Sequence, residues 1–156
     1  DYPMQAPHDG TVAHANIGFR GRRPMKYLLM MHAPRGTGNY EIFSWSQEDF
    51  KAHMDHLNRI NRELKDAGEW IDVHALMPPS EAKLVRAGAN GEPVTDGPFP
   101  EAKEFLAGYW IVDVASPERA YEIAAMASAA PGPGGVPLNM PIEVRRVMGG
   151  APPDEA

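Results

Sequence analysis

Two helical patterns, each placed between short strand-like segments, constrain the fold of this chain more than any other feature of its sequence. The first pattern repeats apolar residues at three- and four-residue spacing, which puts them on one face of a helix. These residues are Phe50, Met54, Leu57, Ile60 and Leu64. Ser46 precedes them as an N-cap, Asp49 completes an imperfect capping box, and Gly68 follows as a stop signal. The sequence therefore predicts a helix between Ser46 and Gly68.

The second helical pattern is rich in alanine and begins after Ser116-Pro117-Glu118. A proline in the first turn is typical of a helix start, because its missing N–H has no partner there anyway. One face of the pattern carries Ala120, Ile123, Ala124 and Ala127. Residues 131–135, Pro-Gly-Pro-Gly-Gly, break the helix.

The remaining apolar segments are too short for buried helices and indicate strands. They are Lys26 to His32, Trp70 to Met77, Phe105 to Val114 and Ile142 to Met148. Two further short segments, Lys83 to Ala87 and Glu92 to Thr95, flank the turn signal Asn90-Gly91. An Asn-Gly pair between extended segments is typical of a β-hairpin.

Strand, helix and strand occur twice, with the hairpin between the halves, and this order predicts an α+β domain with the ferredoxin-like split βαβ arrangement. Both helices then cover one sheet face, and the bare opposite face predicts a homodimer through the sheet. The apolar row expected to face the helices consists of Ile71, Val73, Ala75, Ile142 and Val144. The row expected on the dimer face consists of Asp72, His74, Glu143 and Arg145.

The length of 156 residues suits one domain. Residues 1–24 contain scattered Pro, Gly and polar residues without periodicity, so we interpret them as an extended N-terminal arm or tag-like segment. The domain itself is expected over residues 25–148, and residues 149–156 form a C-terminal tail.

Charge and composition exclude several functional classes. A net charge of −6 gives no general attraction to nucleic acid or anionic membranes. No apolar run approaches the roughly 20 residues of a membrane span, and no secretion signal is visible. We therefore expect a soluble, cytoplasmic protein. Zero cysteines exclude thiolate nucleophiles and Cys-ligated metals, and we predict neither a cofactor nor a metal.

The strongest candidate for acid–base chemistry is the pair Asp72 and His74. A spacing of two on a strand puts both side chains on one face, beside Trp70. A carboxylate next to an imidazole can orient it and raise its basicity. With Glu143 and Arg145 on the same face, the pair could act on a small anionic or phenolic substrate. A polar dimer interface with paired charges is the alternative interpretation.

Three other places are weaker candidates. His53 and His56 lie at the edge of the first helix's apolar stripe, where a hydrogen-bonded structural role competes with acid–base chemistry. Trp45 precedes that helix and either staples it or lines a pocket. Asp96 and Lys103 flank a loop, where Asp96 either closes a turn or, with Lys103, meets a ligand.

The segment from Val94 to Trp110 contains Asp96-Gly97-Pro98-Phe99, followed by Pro100-Glu101-Ala102-Lys103-Glu104. It resembles the signature of the YCII-related, or DGPFAETKE, family, and Met25-Lys26-Tyr27-Leu28-Leu29 is similar to that family's first strand. Pro100 and Ala102 replace the usual Ala and Thr. The resemblance covers about residues 25–148.

The resemblance implies a dimeric α+β barrel similar to muconolactone isomerase and cofactor-free monooxygenases, with a dehydrochlorinase-like domain among the relatives. It also implies a site built on an Asp and on a His from the first helix, which offers His53 and His56.

Two functional hypotheses follow. One is a cofactor-independent lyase or isomerase that uses His74 or His53 as its base. The other is a non-catalytic ligand-binding or regulatory module associated with a transcription regulator.

Overall fold

The computed structural model describes residues 25–34, 41–97 and 103–149. Two helices and six strands are formed in this part of the chain. They are β1 (Met25–Pro34), α1 (Gln47–Asp66), β2 (Trp70–Ala75), β3 (Leu84–Ala87), β4 (Pro93–Asp96), β5 (Glu104–Val114), α2 (Pro117–Ser128) and β6 (Ile142–Arg146). The predicted arm lies outside the described residues, as does the tail beyond Gly149.

The sheet topology confirms the predicted fold class. Four strands form an antiparallel sheet in the order β2-β5-β1-β6, and β3 pairs with β4 in a separate hairpin. Strand β5 therefore lies between the strands that α1 connects, and β1 lies between the strands that α2 connects. This is the split βαβ arrangement of a ferredoxin-like α+β domain.

Both helices contribute to one core on one face of the sheet. The buried core side chains are Tyr27, Leu29, Met31, Ala33, Ile60, Leu64, Trp110, Val112, Val114, Ala120, Ile123, Ala124, Ala127 and Met140. Serine caps start both helices, since the Ser46 hydroxyl accepts the Asp49 N–H at 3.1 Å and the Ser116 hydroxyl accepts the Arg119 N–H at 3.3 Å. The predicted helix starts are thus confirmed.

A β-bulge at Ile71 changes the face assignment of β2. Trp70 pairs with Val112, and Asp72 pairs with the adjacent residue Ile111, so β2 carries one residue more than its partner over this interval. The extra residue is Ile71. An inserted residue reverses the alternation of side chains on its two sides.

The prediction that Ile71 faces the helices is therefore wrong, and so is the placement of Trp70 beside His74. Trp70 packs against the helix-side core, and the Lys65 ammonium of α1 lies 4.6 Å from its ring centre. Ile71 is 36% exposed. Beyond the bulge the prediction is confirmed, because Val73 packs against the core and His74 lies on the opposite face.

Arg119 at the start of α2 fixes the point where β2 begins. Its guanidinium donates to both carboxylate oxygens of Glu69 over 2.9–3.2 Å. The carbonyl of Glu69 in turn accepts the N–H of Asp113 at 2.8 Å. A forked Arg–carboxylate contact has a specific geometry, so it holds the residue before Trp70 against α2 and β5.

No helix in the described part of the chain is long and apolar enough to cross a bilayer.

Candidate functional site

The sheet face away from the helices, here called the open face, has two transverse rows of side chains that cross all four strands. Paired residues on neighbouring strands define each row. The first row consists of His74, Tyr109, Met30 and Glu143. The second consists of Asp72, Ile111, Leu28 and Arg145. Each row is apolar or aromatic in the middle and polar at both ends, which suits a small amphipathic ligand or a second copy of the chain.

Asp72 and His74 come together at one end of the open face. The His74 Nε2 atom lies 3.0 Å from the Asp72 Oδ1 atom, and the same oxygen accepts the Val73 N–H at 3.0 Å. That backbone bond fixes the Asp72 carboxylate within ion-pairing distance of the imidazole. The side chains are 60% and 39% exposed, so His74 is accessible to a ligand from solvent.

Tyr109 lies next to this pair. Its ring centre is 5.8 Å from the imidazole centre of His74, and the two ring planes are tilted by 57°. This is within the range of ordinary aromatic contacts. The sequence analysis did not single out Tyr109, although strand alternation from Trp110 places it on the face opposite the core.

A second His–carboxylate pair lies on the other side of Tyr109, and the sequence analysis missed it. The His32 Nε2 atom of β1 lies 3.2 Å from the Glu143 Oε2 atom of β6. The side chains are 27% and 48% exposed. Alternation along β1 predicts that His32 shares a face with Met30. Its partner follows only from the register between β1 and β6, because Glu143 opposes Met30.

The structure separates His53 from the open face, because its side chain is buried on the helix side of the sheet. Its Nδ1–H donates to the Pro131 carbonyl at 3.0 Å, and the ring centres of Trp45 and His53 lie 5.3 Å apart with the ring planes at 82°. One turn later, His56 Nε2–H donates to the Met126 carbonyl at 2.8 Å. Both histidines thus connect α1 to α2 or to the segment after it. Here His53 and Trp45 have a packing role.

Burial lowers the pKa of His53, since a charged imidazole loses its hydration there. The bond to Pro131 opposes this shift, and the neighbouring His56 adds to it. In the unfolded chain the ordinary value of about 6.5 applies. The unfolded state therefore takes up the proton first as pH falls, and the native state loses stability below pH ~6.5.

We expect His53→Gln to remove this pH dependence while keeping a donor for the Pro131 carbonyl. Urea unfolding at pH 7.5 and 5.5 measures it, with a wild-type loss from His53 of at most about 1.4 kcal/mol per pH unit. His56→Gln is the matched control. Parallel curves for wild type and His53→Gln would show that His53 does not link stability to pH.

Asp96 and Lys103 belong to a different part of the surface. Asp96 ends β4, and its Oδ1 atom accepts the N–H of Gly97 at 2.8 Å. Gly97 has a φ of +121°, a backbone conformation that favours glycine. Lys103 is exposed immediately before β5, and residues 98–102 between them lie outside the described structure. Asp96 therefore makes a local contact with the backbone of the next residue, and its part in a turn or, with Lys103, in ligand binding stays a prediction.

Residues 25–135 match the model of the YCII-related domain family, which covers more than half of the chain. The chain belongs to the YCII-related family. It is also 36% identical over 81 residues to an uncharacterized protein of Rhizobium meliloti (strain 1021). This match includes 52% of the present chain and 65% of the relative, so the chain spans less than two thirds of that protein's length.

The YCII-related signature runs from the hairpin into the central sheet. Its first residues end β4, and its last residues enter β5, which carries Tyr109. In the described residues of this family member, no three His, Asp or Glu side chains converge as metal ligands. On the open face, His74 and His32 with their neighbouring carboxylates offer groups for proton transfer and hydrogen bonding.

Proposed function

We propose that this YCII-related protein is a homodimeric, cofactor-independent acid–base enzyme that acts on a small organic molecule. The observation that carries the proposal is the 3.0 Å approach of His74 Nε2 to Asp72 Oδ1, on the sheet face opposite the helices of the described chain. His74 is the base, and Asp72 positions its imidazole. The reaction class is a lyase or isomerase reaction that starts with removal of a proton from carbon.

The chemistry requires only the residues of the open face. In the proposed step a neutral His74 keeps its proton on Nε2, the atom 3.0 Å from Asp72 Oδ1, and presents the lone pair of Nδ1 as the proton acceptor. The electron pair of the broken C–H bond forms a double bond, and a leaving group departs or another atom of the substrate takes up a proton. Asp72 stabilises the imidazolium that forms in this step.

The homodimer is part of the proposal because excluding water from the site strengthens the electrostatic interactions that stabilise the proton transfer. In one copy of the chain, His74 is mostly exposed and the apolar middles of the two rows are only half-buried. A second copy placed on the open face covers both. The same interface removes the contiguous apolar surface around Leu28, Met30 and Ile111 from water.

We expect the wild-type chain to sediment at twice its mass of 17.1 kDa at micromolar concentration. Ile111→Lys puts a charge at the middle of the open face and should give a folded monomer, because a buried unpaired charge is costly. Tyr121→Lys adds the same charge to an exposed position on α2 and should remain dimeric. A wild-type monomer, or equal masses for the two variants, would contradict an interface on this face.

The catalytic part is tested with a panel of small phenols, cyclic ketones and lactones in D₂O. We expect the wild type to accelerate exchange of a carbon-bound proton, and the compound that exchanges to move the ring resonances of His74. A compound that binds without exchange supports instead a ligand-binding module reporting to a transcription regulator. If no compound moves the ring resonances of His74, this site assignment is wrong.

A cytoplasmic location stays a prediction from the sequence.

A further inference from the structure

The charged side chains of the open face are arranged so that this face is complementary to itself. In the second row, the acidic residue Asp72 lies on β2 and the basic residue Arg145 lies on β6, at opposite edges of the sheet. In the first row the order is reversed, because His74 lies on β2 and Glu143 lies on β6. A surface with opposite charges at its two ends can pair with a second copy of itself about a two-fold axis.

Arg145 has no ion pair with another residue in the described part of the chain, and its side chain is exposed. Asp72 is the residue of the same row that needs a cation in a dimer, since a carboxylate covered by a second copy loses its hydration. Within one copy, β5 and β1 lie between the two residues, and three strand spacings amount to about 14 Å. A second copy can supply the contact that one copy lacks.

Two orientations of the second copy bring the open faces together. With the two-fold axis parallel to the strands, β2 of each copy lies over β6 of the other, and Asp72 faces the partner's Arg145. With the axis across the strands, β2 lies over the same strand of the second copy, and Asp72 faces the partner's Asp72 and the partner's His74. Only the first orientation gives each covered Asp72 a permanently charged cation, because Arg145 is the one arginine or lysine in the two rows.

We propose that the homodimer forms with β2 of one copy over β6 of the other, so that the partner's Arg145 pairs with Asp72 beside His74. Each of the two sites in the dimer then contains residues from both copies and is incomplete in a monomer. This inference rests on the homodimer of the proposed function, and it adds the orientation of the second copy and the residue that this copy contributes.

Charge reversal tests the pairing, with the dimer dissociation constant of the full chain measured by sedimentation. Asp72→Arg alone and Arg145→Asp alone each bring like charges together at both sites, so we expect each to raise the dissociation constant about 100-fold or more. The double variant restores both pairs with the signs exchanged and should dimerise within about tenfold of the wild type. Arg146→Asp is the matched control, because it makes the same charge change one residue along β6, opposite the core residue Tyr27, and should dimerise like the wild type.

A spin label measures the orientation without altering the proposed pair. The chain contains no cysteine, so Arg146→Cys provides a single attachment point for a nitroxide on β6. Unlabelled chain that carries the nitroxide is mixed with ¹⁵N-labelled wild type, and any broadening of the wild-type signals then comes from the other copy. We expect the ring resonances of His74 to broaden more than those of His32, because β6 of the second copy lies over β2 in the proposed dimer.

The outcomes distinguish this inference from the proposed function. A dimeric wild type whose double variant dimerises no better than the single variants, or stronger broadening of His32 than of His74, overturns the pairing and leaves the homodimer and the base His74 in place. A monomeric wild type overturns the homodimer and this inference together, and the panel experiment then decides the acid–base chemistry alone. If a charge-reversed variant does not fold, the spin-label comparison decides.

Discussion

His74→Gln is expected to slow proton exchange of the responsive panel compound by roughly 10²- to 10⁴-fold, the range that a positioned general base contributes. Glutamine keeps a polar side chain of similar length but accepts no proton from carbon at neutral pH. Because His74 is 60% exposed and on an edge strand, the fold should tolerate the change. Exchange is measured by loss of the ¹H signal in D₂O.

Asp72→Asn tests in the same assay whether Asp72 positions the His74 imidazole. An amide can present an oxygen to Nε2 but carries no charge to stabilise the imidazolium, so we expect a smaller loss and an altered pH profile of the exchange rate. Glu118→Gln on the helix side is the control for loss of one acidic residue. If His74→Gln exchanged protons as fast as the wild type, the base would have to be another residue.

Leu29→Ala is expected to lower the free energy of unfolding by about 2 to 5 kcal/mol, because it leaves a cavity at a completely buried position. Leu29 lies in β1 between Trp110 of β5 and Val144 of β6, where relaxation cannot fill the space. Leu28→Ala is the matched control. It removes the same atoms one residue earlier, from the open face.

The two leucine variants also report on the interface. Urea unfolding at two protein concentrations should give a concentration-independent loss for Leu29→Ala. For Leu28→Ala the loss should be about 1 kcal/mol or less in the monomer and larger where the wild type is dimeric. If both variants lost the same free energy of unfolding with the same dependence on protein concentration, the assignment of Leu29 to the core and of Leu28 to the open face would be wrong.

The elements with local signals could be predicted from the sequence. Ser46 and Ser116 cap the two helices where the patterns begin, and the Asn90-Gly91 signal lies between the strands of the hairpin. The Asp72–His74 pair could be predicted as well, because two residues on one strand share a face whatever the neighbouring strand is.

Contacts that depend on register could not be predicted. Glu143 meets His32 only because β6 lies beside β1 in one alignment, and 111 residues separate the two in the chain. The bulge at Ile71 has no sequence signature, so simple alternation put Trp70 on the wrong face. His53 was ambiguous because an imidazole suits a buried position only when a carbonyl such as that of Pro131 is in reach.

The bulge at Ile71 divides β2 into two segments, and the alternation of side chains between the two sheet faces is shifted by one residue from the first segment to the second. The segment before the bulge packs under α1 through Trp70. The segment after it carries Asp72 and His74 on the open face. A shift of the helix can be absorbed at the extra residue without turning the His–Asp pair away from the open face. Core packing and the placement of the proposed site are therefore separated at Ile71, although one six-residue strand serves both.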